Sequence, residues 1–177
     1  GKDYERGLMM LKDYVEDDKV HSRLDFKGIE SYPGCSFVGI RTRCNSDSLS
    51  SNMRNDFGRL RELVGPEDAT GKEFSIYHKW DMVRDEIEYT ACIPVDKAPE
   101  NMPSDVNMGQ IPRTQVHTIR HIGPYTHLGN AWSAQNSYHR NKAFKINRKI
   151  DPFEVYQNTP EEVPGNDLIT HIHFPSK

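Results

Sequence analysis

The chain has 177 residues, enough for one domain or for two half-sized modules sharing a core. A formal net charge of -3 leaves no surplus of Lys and Arg to neutralise phosphates, which argues against direct contact with nucleic acid. Its three cysteines, in no metal-like spacing, fit a reducing compartment, and no apolar run approaches the ~20 residues that cross a bilayer, so the sequence reads as soluble and cytoplasmic with no membrane partner.

The chain opens on Gly rather than Met, which reads as a processed or excised fragment. In residues 1–23, Tyr4, Leu8, Leu11 and Val15 fall at helical spacing and Met9 and Tyr14 widen the stripe, predicting an amphipathic helix. It is either a cap on the domain beginning near Leu24 or the tail of an upstream domain. Pro33-Gly34 then breaks a β-branched and aromatic stretch and predicts a turn before a strand from about Ser36 to Cys44. Leu49, Met53, Phe57, Leu60 and Val64 come next at steps of four, four, three and four, the clearest helix in the chain, and Gly65-Pro66 stops it. Strands are expected near 73–80 and 86–95. Residues 96–111, rich in Pro, Asp and Asn, read as a connecting loop. A strand at about 112–122 precedes Gly123-Pro124, which opens a helix carrying Leu128, Ala131, Trp132 and Tyr138. Strands near 152–158 and 167–174 complete the chain.

Two segments share a layout. Residues 74–95 (FSIYHKWDMVRDEIEYTACIPV) and 153–175 (FEVYQNTPEEVPGNDLITHIHFP) each open with Phe-x-(Ile/Val)-Tyr, pass a polar turn and close on an alternating strand ending in proline. The expected fold class is therefore α+β: a strand–helix–strand–strand module in two copies (about 24–95 and 112–175), antiparallel sheet, two long helices on one face, and a ligand cleft on the other. Because successive strand residues alternate faces, Phe and Ile/Val are expected under the helices. Tyr77, Glu88, Thr90, Glu154, Tyr156 and His171 then gather on the open side. Aromatics and carboxylates on a hollow surface suit a planar or cationic organic ligand, each aromatic face attracting a cation by ~0.5–1 kcal/mol. The plainer alternative is a solvated sheet face with tyrosines as ordinary strand formers.

HIGPYTHLGNAW (121–132), PFEVYQNTP, the terminal LITHIHFP and the earlier IESYPGCSFVGIR together resemble the GyrI-like effector-binding domain family over about residues 27–175. The resemblance implies the duplicated fold and a pocket for lipophilic, often cationic, small molecules. Such domains serve as ligand-sensing halves of transcription activators, as stand-alone proteins linked to gyrase inhibition or drug resistance, and in a few cases as hydrolases. The opening DYERGLMMLKDYVED is similar to the final helix of START-like (SRPBCC) domains, which are sometimes fused upstream. Many relatives carry Glu in a terminal Thr-Glu-Ile motif, an acid that projects into the pocket. Here the motif is Thr170-His171-Ile172, so Glu88 or Glu154 must supply the negative charge.

The expected ligand-binding set is thus Tyr77, Glu88, Thr90, Trp132, Glu154, Tyr156 and His171, with a small organic molecule as partner and no cofactor. The alternative is a hydrolase of reactive small molecules using a pocket glutamate as general acid/base. A metal site at His171/His173 or His117/His121 has the right parity for chelation but lacks companion Asp or Cys ligands, so no metal is expected.

Overall fold

The computed structural model describes residues 2–17 and 19–177. Helix α1 spans Lys2–Asp17, followed by strands β1 (Arg23–Tyr32) and β2 (Cys35–Cys44), then helix α2 (Leu49–Val64). Strands β3 (Phe74–Asp81), β4 (Glu86–Pro94), β5 (Val106–Ile111) and β6 (Thr114–Ile122) precede a short 3-10 turn at Tyr125–His127. Helix α3 (Gly129–Arg140), β7 (Phe153–Tyr156) and β8 (Ile169–Ser176) complete the chain. The order strand–helix–strand–strand occurs twice, as β2–α2–β3–β4 and as β6–α3–β7–β8. Among the described residues no helix is long and apolar enough to cross a membrane.

All eight strands join one antiparallel sheet in the order β1-β6-β8-β7-β3-β4-β2-β5. The two units meet at its centre, where β3 pairs with β7 and Ser75 stands opposite Glu154. Two-residue links, Pro33-Gly34 and Pro112-Arg113, join strands from opposite sides of this order, β1 to β2 and β5 to β6. Two residues bridge only a few ångströms, so the sheet must curl until those strand ends meet.

The stripe on α2 behaves as its spacing predicts. Phe57, Leu60 and Val64 are buried against Val38, Ile40, Ile87, Tyr89, Ala91 and Ile93 of β2 and β4. Gly65, at φ 70°, ends the helix with its N–H on the Arg61 carbonyl. Helix α3 lies on the same face, with Leu128 and Ala131 against Ile119, Ile172 and Phe174 of β6 and β8. The Gly123-Pro124 entry to this helix tolerates no side chain at its first position. Gly123 sits at φ 139°, and a Cβ there would lie 2.2 Å from the His21 carbonyl oxygen.

The face assignment read from parity is reversed for β3 and β7 and holds for β4 and β8. Phe74, Ile76 and Phe153 point away from the helices into a second core with Phe37, Cys92, Ile111 and Val116, flanked by Tyr32 and Ile150. Tyr77, Glu154 and Tyr156 point toward α2 and α3 instead. The physical cause is the curl: the helix-free face also closes on itself, so both faces are buried and alternation alone does not say which one the helices cover.

The loop reading of 96–111 is corrected at its end, where Val106–Ile111 form edge strand β5 against β2. VNMGQI has little intrinsic strand preference, and pairing with the well-formed β2 supplies what propensity does not.

Candidate ligand-binding site

At the centre of the sheet, on the helix-bearing face, stands one carboxylate. Glu154 is 3% exposed and accepts three neutral donors: the Trp132 indole Nε1–H, the Tyr77 hydroxyl at 3.1 Å and the Tyr156 hydroxyl at 3.1 Å. The Tyr156 hydroxyl also lies 3.0 Å from Ser75 Oγ, the residue opposite Glu154 across the β3–β7 pair. Among the described residues no cationic side chain forms an ion pair with this carboxylate. Burial pushes its pKa up and the three donors pull it down, with burial the larger influence. The hydroxyls of Tyr77 and Tyr156 are raised far above the usual phenol range, first by burial and then by the adjacent carboxylate.

Aromatic rings surround the acid. Trp132 from α3 meets Tyr77 edge-on at 5.2 Å, and Phe57 from α2 meets Tyr156 at 5.9 Å. Tyr125, on the 3-10 turn, reaches Tyr156 at 5.7 Å, and burial raises its hydroxyl to about 12. Trp80 packs on Tyr77 at 5.5 Å. It reaches this face because β3 bulges at His78, which shifts the register between Tyr77 and Lys79. The result is a carboxylate inside an aromatic box, closed over by Trp132.

Of the residues singled out in the sequence, Tyr77, Trp132, Glu154 and Tyr156 meet here. Glu88, Thr90 and His171 do not, and their placement with the others is corrected. Glu88 pairs with Arg41 at 2.9 Å and with Arg43 at 3.6 Å, and the hydrogen bond from Arg41 holds it below the usual carboxylate range. Thr90 bonds His78 Nε2 at 2.7 Å on the face away from the helices. His171 shares that face, its ring 5.9 Å from that of His173, and burial followed by nearby Arg120 lowers its pKa. Position 171 therefore does not project into the aromatic box, whatever residue stands there. The histidine pairs are also engaged elsewhere: His117 bonds Gln135 and stacks on Phe144, and His173 bonds Thr118. Among the described residues no group of three or more His, Cys, Asp or Glu is placed to hold a metal.

Ser75, Phe57 and Tyr125 complete the site, although the sequence pattern does not single them out. Ser75 shares Tyr77's parity, and that is its only signal. Phe57 reads in sequence as one more member of the α2 stripe, and Tyr125 as a packing residue at a helix start.

Residues 29–177 match the GyrI-like small molecule binding domain. No curated protein matches the chain in sequence. Among solved structures, EcmrR in its DNA complex superposes with a TM-score of 0.72 at 17% identity, covering 99% of this chain and 65% of that one. The EcmrR C-terminal domain alone gives 0.71 at 17% identity, covering 88% of this chain and 98% of that domain. SAV2435 bound to tetraphenylphosphonium gives 0.64 at 12% identity, covering 86% and 94%. At such identities the likeness is one of fold, and this chain spans about 65% of the EcmrR chain in the DNA complex.

Proposed function

The chain belongs to the GyrI-like small molecule binding domain family, and from that premise we propose that its ligands are lipophilic organic cations received at Glu154, between α2 and α3. The observation that carries this reading is the state of the acid. A lone carboxylate 3% exposed, held only by neutral donors, lacks the counter-charge that buried charges ordinarily have. A cation held beside Tyr77 and Tyr156 supplies that charge and gains the attraction of the ring faces, which grows to ~2 kcal/mol or more where water is excluded. Tetraphenylphosphonium, the ligand of SAV2435, has this chemistry.

Trp132 covers the acid, so a ligand takes the place of the indole rather than filling a preformed hollow. Binding and rearrangement at the start of α3 are then one event, which suits a sensor or sequestering domain in the cytoplasm. We place the ligand-binding unit in residues 24–177, with modules at about 24–95 and 112–175. Helix α1 stands outside it as an attached element, joined by a 2.8 Å bond between Asp13 and His127 Nε2. The EcmrR structure contains DNA, and a role in transcription regulation, through DNA contacts made outside this chain, belongs to the same proposal.

The test is a thermal-shift and calorimetric titration with tetraphenylphosphonium on the wild-type protein and on Glu154→Gln. Saturable stabilisation that the variant loses supports the reading. Failure of any lipophilic cation to bind removes it. Turnover of a strained electrophile that Glu154→Gln abolishes would replace it with the hydrolase alternative.

A further inference from the structure

On the face away from the helices lies a cavity of about 510 Å³, inside the range typical of small-molecule sites. Its floor is apolar, made by Phe37, Ile76, Ile111 and Ile150. One end is held open by a glycine. A Cβ on Gly109 would lie 2.4 Å from the Phe37 ring, so only glycine lets that ring lie flat against β5 instead of turning into the cavity.

The charges around this floor are unevenly matched. The cavity's one carboxylate, Asp151, lies 2.7 Å from His78 Nδ1, and His78 Nε2 lies 2.7 Å from Thr90 Oγ1. A carboxylate only accepts, so His78 Nδ1–H donates to Asp151. Asp151 is thereby already supplied with a donor. Arg113, on the β5–β6 turn, and Lys149, in the segment before β7, line the same cavity. Both side chains are exposed, and among the described residues neither forms an ion pair. Two cations thus border an apolar floor whose carboxylate is already engaged.

We propose that this cavity is a second binding site, for an amphipathic organic anion whose apolar body lies on Phe37, Ile76, Ile111 and Ile150 and whose carboxylate meets Arg113 and Lys149. The two faces of the sheet then take ligands of opposite charge. This site stands independently of the cation site at Glu154, with which it shares no residue.

Decanoate is the probe, with decyltrimethylammonium as a control of equal chain length and opposite charge, both titrated calorimetrically into the full chain. Decanoate is expected to bind one to one. The double variant Arg113→Ala/Lys149→Ala should weaken it at least about tenfold, as two lost charge contacts at a partly exposed site imply. Glu154→Gln should leave it unchanged. Both altered side chains are exposed, so an unchanged melting temperature is expected and excludes misfolding as the cause. The apolar half is tested by Gly109→Leu, which crowds Phe37 and should also abolish binding. No saturable decanoate binding, binding that the double variant leaves intact, or decyltrimethylammonium binding sensitive to Arg113 and Lys149 overturns the proposal. If tetraphenylphosphonium still binds through Glu154 in that event, only the anion site falls.

Discussion

Replacing Glu154 by Gln removes one charge and almost nothing else. The amide keeps the shape of the carboxylate, and the hydroxyls of Tyr77 and Tyr156 are free to rotate from donating to accepting, so the box stays assembled. A cation lodged about 5 Å from the carboxylate, at an effective dielectric constant near 20, is attracted by about 3 kcal/mol. Loss of that attraction weakens binding on the order of 100-fold. A neutral compound of similar shape, triphenylphosphine oxide, feels the same rings but no charge, so the substitution should leave its affinity nearly unchanged. Isothermal titration of both compounds against both proteins measures the difference. The unliganded variant should melt no lower than wild type, because a desolvated carboxylate without a counter-ion does not favour the fold. Equal losses for the charged and the neutral compound, or no loss for either, would refute the assignment of Glu154 as a charge partner.

Further outcomes rest on the same geometry. Trp132→Ala removes the cover over Glu154 and should raise the association rate of tetraphenylphosphonium while destabilising the free protein by about 2–4 kcal/mol, measured by stopped flow and urea unfolding. In a Trp80→Phe background Trp132 is the sole tryptophan, and its emission should shift as ligand displaces it. Tyr89→Phe deletes the 2.7 Å hydroxyl bond to buried Asp56, which keeps only Thr42, and should cost roughly 1.5–3 kcal/mol in urea unfolding. His173 is held at about 3 by burial, against 6.5 when unfolded, so the fold favours its neutral form. That stability is complete above pH 6.5 and is lost as pH falls toward 3, by at most roughly 5 kcal/mol. His173→Gln should flatten the acid limb of the melting temperature against pH.

How much of this was legible in the chain depends on whether one element or two decide the outcome. The α2 stripe is a property of a single helix, and Leu49, Met53, Phe57, Leu60 and Val64 announce it without reference to anything else. The Phe-x-(Ile/Val)-Tyr strands are likewise local, and they pair with each other as β3 and β7 at the centre of the sheet. Strand β5 is different. VNMGQI becomes a strand only because β2 offers an unpaired edge, so nothing within its six residues reports it. The place of β1 beside β6 rather than β2 depends on the curl of the whole sheet, a property that no stretch of sequence carries.

The site shows the same division. Parity correctly grouped Tyr77, Glu154 and Tyr156, because alternation within β3 and β7 fixes which side chains travel together. It joined them wrongly to Glu88, Thr90 and His171, which do stand on the helix-free side, because alternation did not say which face of β3 and β7 lies under the helices. That choice rested on the premise that a sheet with helices on one side buries one face only. Phe74 and Phe153 break the premise: each is at most 1% exposed, on the face that the helices do not cover. Once both faces are dry, hydrophobicity no longer distinguishes them, and the informative residues are the polar ones. A buried glutamate needs donors. The three that Glu154 finds include the indole of Trp132 on α3, so the acid had to face the helix that carries a tryptophan within reach. The hydrogen-bonding demand of one carboxylate thus orients the sheet where its apolar pattern does not.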